Sequence, residues 1–201
     1  MGRRLAIAAV VLAAGLGVSG CANGPAGGAS DGWVTLLDGS SMNGWYPVGN
    51  ANWRVEDGAV VADKLTGKAT GFLVTDKSYR DFELHAEFWV SHDANSGIYM
   101  RCGNPQVFTD KICYEANIFD ERKDPSYGTG AVTNFAKVSP IPKAGGQWNT
   151  YDITLKGTHI VVVLNGVRTA EFDHSLLKDG QIALQYAQGV VKVRNVRIKQ
   201  L

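Results

Sequence analysis

From Trp33 onward the apolar positions recur in short runs with a period of two, and no long stretch keeps the 3.6-residue period of a helix. The clearest run is DFELHAEFWV, residues 81–90. Phe82, Leu84, Ala86, Phe88 and Val90 share one face of that predicted strand, and Glu83, His85, Glu87 and Trp89 share the other. Further strands are predicted over residues 96–101, 113–119, 151–156, 158–164, 167–172, 180–186 and 190–199. Asn165-Gly166 lies between two of them and tolerates positive φ at both positions, which predicts a two-residue hairpin; Lys156-Gly157 predicts another turn. Many short strands punctuated by a chain total of 24 glycines predict an all-β sandwich or jelly roll. One short helix is expected, near Ser175-Leu176-Leu177.

The decapeptide KICYEANIFD, residues 111–120, breaks the apolar pattern in an informative way. As a strand it turns Cys113, Glu115, Asn117 and Phe119 to one side, and Ile112, Tyr114, Ala116 and Ile118 to the other. A carboxylate and an amide side by side on an otherwise apolar strand mean either a face washed by solvent or the lining of a site. Asp120 lies five residues from Glu115, so a regular strand puts the two on opposite faces. A glycosidase built on that pair alone would require a bulge or turn between them. Asp120 is instead expected to end the strand.

The chain opens with two arginines, an apolar run and small residues before a cysteine, the plan of a secretory signal. Val18-Ser19-Gly20-Cys21 has the form of a lipoprotein cleavage box, which predicts lipid on Cys21 and a bacterial envelope location, outer membrane rather than inner. An ordinary signal peptide with an incidental cysteine is the other reading. The expected organisation is a signal peptide over residues 1–20, Cys21 and a Gly-rich tether over 21–31, and one domain over 32–201. Cleavage before Cys21 removes Arg3 and Arg4 and takes the formal charge from +1 to +1 − 2 = −1. A near-neutral chain without basic blocks gives no electrostatic reason to expect a nucleic-acid partner. Membrane attachment would come through the lipid.

Cys102 and Cys113 remain as an even pair outside the cytoplasm, which predicts a disulfide. A zinc site is less favoured, because too few ligands lie nearby. Strand parity poses a difficulty. If Ile98, Met100 and Cys102 face the core, Tyr99 and Arg101 face the groove, yet Cys113 goes with Glu115 on the groove side. One cysteine must then sit at a bulge or in the connecting segment.

Seven motifs in order along the domain bear a family likeness: LLDGSSMNGW (36–45), WRVEDGAVVA (53–62), YRDFELHAEFWV (79–90), NSGIYMR (95–101), YEANIFD (114–120), GQWNTYDITLKGTHIVVVLNGV (146–167), and GQIALQ through VRNVRIKQL (180–201). The chain resembles the 3-keto-disaccharide hydrolase family, also described as 3-keto-glucoside-1,2-lyase/3-keto-2-hydroxy-glucal hydratase domains. The resemblance implies a concanavalin-like jelly roll of two antiparallel sheets and a sugar already oxidised at C3. Asn117 stands where relatives often have Gln, and Tyr186-Ala187 follow Gln185 where relatives often carry a His-Gly.

A ketone at C3 acidifies the C2 proton, so a base at C2 can drive loss of the C1 substituent. Glu115 is the candidate base, its pKa expected to rise with partial burial; a solvent-facing glutamate is the alternative. Arg101 is the candidate for steadying the enolate or the sugar hydroxyls, or else a structural partner of Glu115 or Asp120. Asn117, Asn95, Tyr99, Glu87 and Trp148 are candidate sugar contacts. Asn95 also fits a simple turn, Glu87 a solvated face, and Trp148 a loop anchor. His85 is expected to be solvated, His92 is ambiguous, and His159 and His174 are expected at the surface. No cofactor is specified; a divalent metal is compatible with the chemistry, but no ligand spacing names its site. The competing functions are a non-catalytic carbohydrate-binding lipoprotein and a direct glycosidase.

Overall fold

The computed structural model describes Gly2, residues 31–104, Thr109, residues 111–175 and residues 177–201. The expected signal peptide, the expected lipidation site at Cys21 and the tether up to Ser30 lie outside the described residues, Gly2 apart. The described domain, from Asp31 to Leu201, is all β apart from one 3₁₀ turn at Pro125–Tyr127.

Its strands are β1 (Trp33–Leu37), β2 (Trp45–Val48), β3 (Arg54–Glu56), β4 (Ala59–Ala62), β5 (Gly71–Tyr79), β6 (Phe82–Val90) and β7 (Asn95–Cys102). β8 (Tyr114–Ile118), β9 (Trp148–Lys156), β10 (His159–Leu164), β11 (Val167–Asp173), β12 (Gly180–Gln188) and β13 (Val191–Gln200) complete them. The larger sheet runs β11-β10-β9-β6-β13-β4-β3, with β1 also on β13; the smaller runs β2-β5-β12-β7-β8. Every strand-to-strand pairing is antiparallel. The two sheets face each other as a jelly-roll sandwich, as the residue pattern predicts.

The inner face of β6 is the expected one: Phe82, Leu84, Ala86, Phe88 and Val90 are all buried. They meet Tyr151, Ile153 and Leu155 from β9, and Ile98, Met100, Tyr114, Ala116 and Leu184 from the smaller sheet. The β10–β11 hairpin turns on Asn165 (φ 51°) and Gly166 (φ 78°), the left-handed pair that a tight hairpin requires. β13 keeps Val191 and Val193, then Val196 and Ile198, in the core through a bulge at Asn195 (φ 48°).

The expected helix at residues 175–177 is not formed: Ser175 and Leu177 belong to an irregular link between β11 and β12, and Leu176 lies outside the described residues. The backbone polar groups of Leu177 go to side chains instead. Its N–H donates to the Tyr114 hydroxyl, and its carbonyl accepts from Arg101. His174, expected at the surface, is half-buried, with Nδ1 2.8 Å from the Tyr114 hydroxyl and its ring against Phe135.

Candidate functional site

Strand pairing decides which side chains lie together on the outer face of the smaller sheet. One row crosses the sheet as Val48, Phe72, Gln185, Gly97 and Asn117; the next runs Tyr46, Val74, Ala183, Tyr99 and Glu115. The β2 side is apolar. Phe72, Val74, Ala183 and Tyr99 form a second small core across β5, β12 and β7 that reaches the two cysteines at one end of β7 and β8, with Phe72 and Tyr99 edge to face at 5.3 Å. Along β8 itself the face is polar, with Glu115 and Asn117. The aromatic pair beside them is covered rather than open, with Phe72 7 % and Tyr99 4 % exposed.

Glu115 is 5 % exposed, so its carboxylate does not stand in bulk water. It leans over Gly97: a Cβ built on that glycine would lie 2.8 Å from Glu115 Oε1 and 3.0 Å from its Cγ. Gly97 is thus the place where β7 makes room for the acid of β8. Gly97→Ala is expected to displace the Glu115 side chain, at Oε1 and Cγ, more than the backbone, whose nearest atom is the Ala116 carbonyl at 3.3 Å, so the rate should fall far more than Tm. Misplacing a reacting group by about 1 Å costs on the order of 10²-fold in rate, and steady-state kinetics beside a melting curve will separate the two effects.

A segment outside the named strands completes this face. Residues 129–133 run antiparallel to β8: Asn117 N–H donates to the Ala131 carbonyl, and Thr133 N–H donates to the Glu115 carbonyl. Val132 bridges Ala116, which sets Thr133 beside Glu115 on the same face. The segment is firmly held. The fully buried Tyr151 reaches across the core from β9, donating to the Asn117 carbonyl at 2.6 Å and accepting from Gly130 N–H at 2.9 Å. Burial pushes the Tyr151 phenol far above its usual pKa, so it stays a neutral donor. Thr169 donates to the Gly130 carbonyl.

Around Glu115 several buried polar atoms have no protein partner. They are Asn117 Oδ1, Thr133 Oγ1 and Gln185 Oε1. Asn117 is 0 % and Thr133 1 % exposed. Asn117 Nδ2 donates to the Tyr127 carbonyl at 2.7 Å, which orients the amide, and Gln185 Nε2 donates to the Tyr99 hydroxyl at 3.1 Å. Buried polar atoms are almost always paired, so a cluster of unpaired ones beside an acid points to a ligand.

The other sequence candidates fall as follows. Asn95 lies on β7 opposite Gln188, and alternation along the strand gives it the same face as Gly97 and Tyr99. Glu87 and Trp148 are corrected: both lie on the outer face of the larger sheet, on the far side of the sandwich. Asn195 and then Arg194 hold the Glu87 carboxyl below its usual pKa, and the Arg194 guanidinium covers the Trp148 ring at 3.9 Å. His85 sits on that face too, bonded to Asp152 rather than simply solvated. Asp120 follows β8, as expected, and its carboxylate accepts from Thr129 Oγ1 and from Ala144 and Gly145 N–H, away from Glu115.

Arg101 is also corrected. A bulge between Tyr99 and Cys102, with Arg101 at φ 53°, reverses the parity of β7. Its guanidinium is 1 % exposed and turned toward the ends of the larger sheet's strands, where it donates to the carbonyls of Arg80, Gly157 and Leu177 and to Asp81. Burial lowers its pKa, with Asp81 opposing. The same bulge sends Cys102 to the outer face of the smaller sheet beside Cys113, and the two form the expected disulfide. Among the described residues no group of three or more His, Cys, Asp or Glu side chains is placed to hold a metal ion.

Thr133, Gln185 and Gly97 were not among the sequence candidates. Thr133 lies in a stretch without alternation, and Gln185 is separated from Glu115 in the chain and joined to it only by sheet order.

Residues 32–199 match the family described as the 3-keto-alpha-glucoside-1,2-lyase-like domain, and the chain belongs to that family. It is 33 % identical over 158 residues to a 3-keto-disaccharide hydrolase of Bacteroides thetaiotaomicron, covering 64 % of this chain and 54 % of that protein. The chain thus spans about half the length of this curated relative. A Parabacteroides distasonis structure, provisionally described as a glycosyl hydrolase, superposes with a TM-score of 0.75 at 20 % identity, over 85 % of this chain and 94 % of that one. The carbohydrate-binding module CBM66 of Bacillus subtilis superposes with a TM-score of 0.63 at 16 % identity, over 78 % and 96 %. At those identities the two structures establish the fold alone.

Proposed function

We propose that this protein cleaves the glycosidic bond of 3-keto-glycosides, with Glu115 as the base. The supporting observation is the Glu115 carboxylate, buried above Gly97 among unpartnered amide and hydroxyl atoms, in a chain of this family. Glu115 takes the C2 proton, made acidic by the C3 ketone. The C2–H electron pair becomes the C1=C2 double bond as the C1–O bond breaks, and the departing alkoxide takes up a proton. Addition of water across the resulting glycal completes a net hydrolysis. The residues serve the first step: Glu115 as the base, and the amide and hydroxyl groups beside it that orient the ring.

Purified protein incubated with a 3-keto-disaccharide and with its unoxidised parent tests this reading. Cleavage of the keto sugar alone is expected. Cleavage of the parent would instead indicate a direct glycosidase. Binding of either without turnover would indicate a carbohydrate-binding protein, the use to which the fold is put in the CBM66 module.

A further inference from the structure

We propose that Asn117 and Thr133 together hold the hydroxyl on the carbon that loses its proton, making this protein selective for sugars with a free 2-hydroxyl. The inference rests on the reading of Glu115 as the base at C2. Asn117 is two residues along β8 from Glu115 on the same face, and Thr133 is directly across from it. The groups flanking a base meet the substituents of the carbon it attacks.

The chemistry of the pair is specific. Asn117 Nδ2 is committed to the Tyr127 carbonyl, so the amide presents its oxygen, an acceptor. Thr133 Oγ1 can both donate and accept. One sugar hydroxyl placed between them donates to Asn117 Oδ1 and accepts from Thr133, satisfying two atoms that no protein group satisfies. An ether there gives Asn117 no proton, and a hydrogen leaves both atoms buried and unpaired. A site built around a substrate hydroxyl discriminates strongly against an analogue that lacks it.

Thr133 is the better probe, because Asn117 also holds the Tyr127 carbonyl. Thr133→Val keeps the shape and removes only the hydroxyl. If that hydroxyl serves a ligand and not the fold, its loss leaves Tm unchanged or raises it; a structural hydroxyl would lower Tm. Binding is measured by calorimetry in the Glu115→Gln background, where neither ligand is consumed. The probes are a 3-keto-glucoside and its 2-deoxy counterpart. With Thr133 in place the hydroxylated sugar is expected to bind roughly 10- to 100-fold tighter. With Thr133→Val the ratio is expected to shrink to about 3-fold or less, and Thr133→Ser, which restores the hydroxyl, to recover most of it. Equal affinity for the two sugars with Thr133 present, including no affinity for either, overturns the proposal, as does an undiminished ratio in Thr133→Val. If the protein with Glu115 intact fails to turn over the keto sugar, the catalytic reading fails, while the affinity ratio still reads the hydroxyl contact on its own.

Discussion

Glu115→Gln is expected to lower turnover of a 3-keto-disaccharide by about 10³-fold, the middle of the range for a positioned general base. The protein should still fold. Glutamine has nearly the volume of glutamate, and the position is buried over a glycine that accommodates either side chain. Glu115→Asp is a second, independent arm. It keeps the carboxylate but withdraws it by one methylene from the space above Gly97, and about 10²-fold is expected from misplacement alone. A melting curve on each variant checks the fold. Unchanged rates in Glu115→Gln would remove Glu115 as the base, and the C2 proton would need another acceptor.

How much of this was legible in the chain depended on whether a residue's neighbours are local. β6 alternates over its whole length because one face meets the core and the other meets water, so Phe82 through Val90 declare both strand and orientation. The first five strands do not declare themselves. β4, Ala59–Ala62, is buried on both sides and shows no alternation, β3 has three residues, and β2 contains Pro47. The pairing of Glu115 and Asn117 on one face followed from parity alone and holds in the structure. Alternation, however, names a face without naming a sheet. Glu87 and Trp148 satisfy a face rule without sharing a sheet with Glu115, and they lie on the outside of the other sheet.

The bulge in β7 marks where parity stops working. A strict alternation put Arg101 in the groove and set the cysteines on opposite faces, a contradiction that itself required an irregularity. The structure resolves it with one residue. Arg101 takes a left-handed conformation, Cys102 moves to the Glu115 face, and the arginine side chain swings inward. Thr133, Gln185 and Gly97 are different. No local pattern marks them; they come together beside Glu115 only when β12, β7, β8 and the 129–133 segment are laid side by side.

The inward swing of Arg101 leads to the second large effect, on stability rather than chemistry. Its Nε donates to the Arg80 carbonyl at 2.7 Å, Nη1 to the Gly157 and Leu177 carbonyls at 2.9 and 3.1 Å, and Nη2 to Asp81 Oδ1 at 3.0 Å. One side chain thus ties together the β5–β6 turn, the β9–β10 turn and the irregular link before β12. Arg101→Met fills similar space but leaves three inward carbonyls and the Asp81 carboxylate without that partner. Breaking a buried pair in this way costs about 3–5 kcal/mol, and in a domain of this size each kcal/mol moves Tm by roughly 2–4 °C. A fall in Tm of about 6–20 °C is therefore expected. Arg101→Lys should recover only part of it, since an ammonium cannot reach the planar fork's separate targets at once. The same variants separate the clamp seen in the structure from the enolate role that strand parity suggests. As a clamp, Arg101→Met assayed well below its Tm keeps kcat within several-fold. As the group that steadies an enolate, it would lose about 10²–10³-fold in kcat with little change in melting. The guanidinium is turned away from Glu115 and bonded to backbone carbonyls, so the large loss is expected in the melting curve and the small one in the rate.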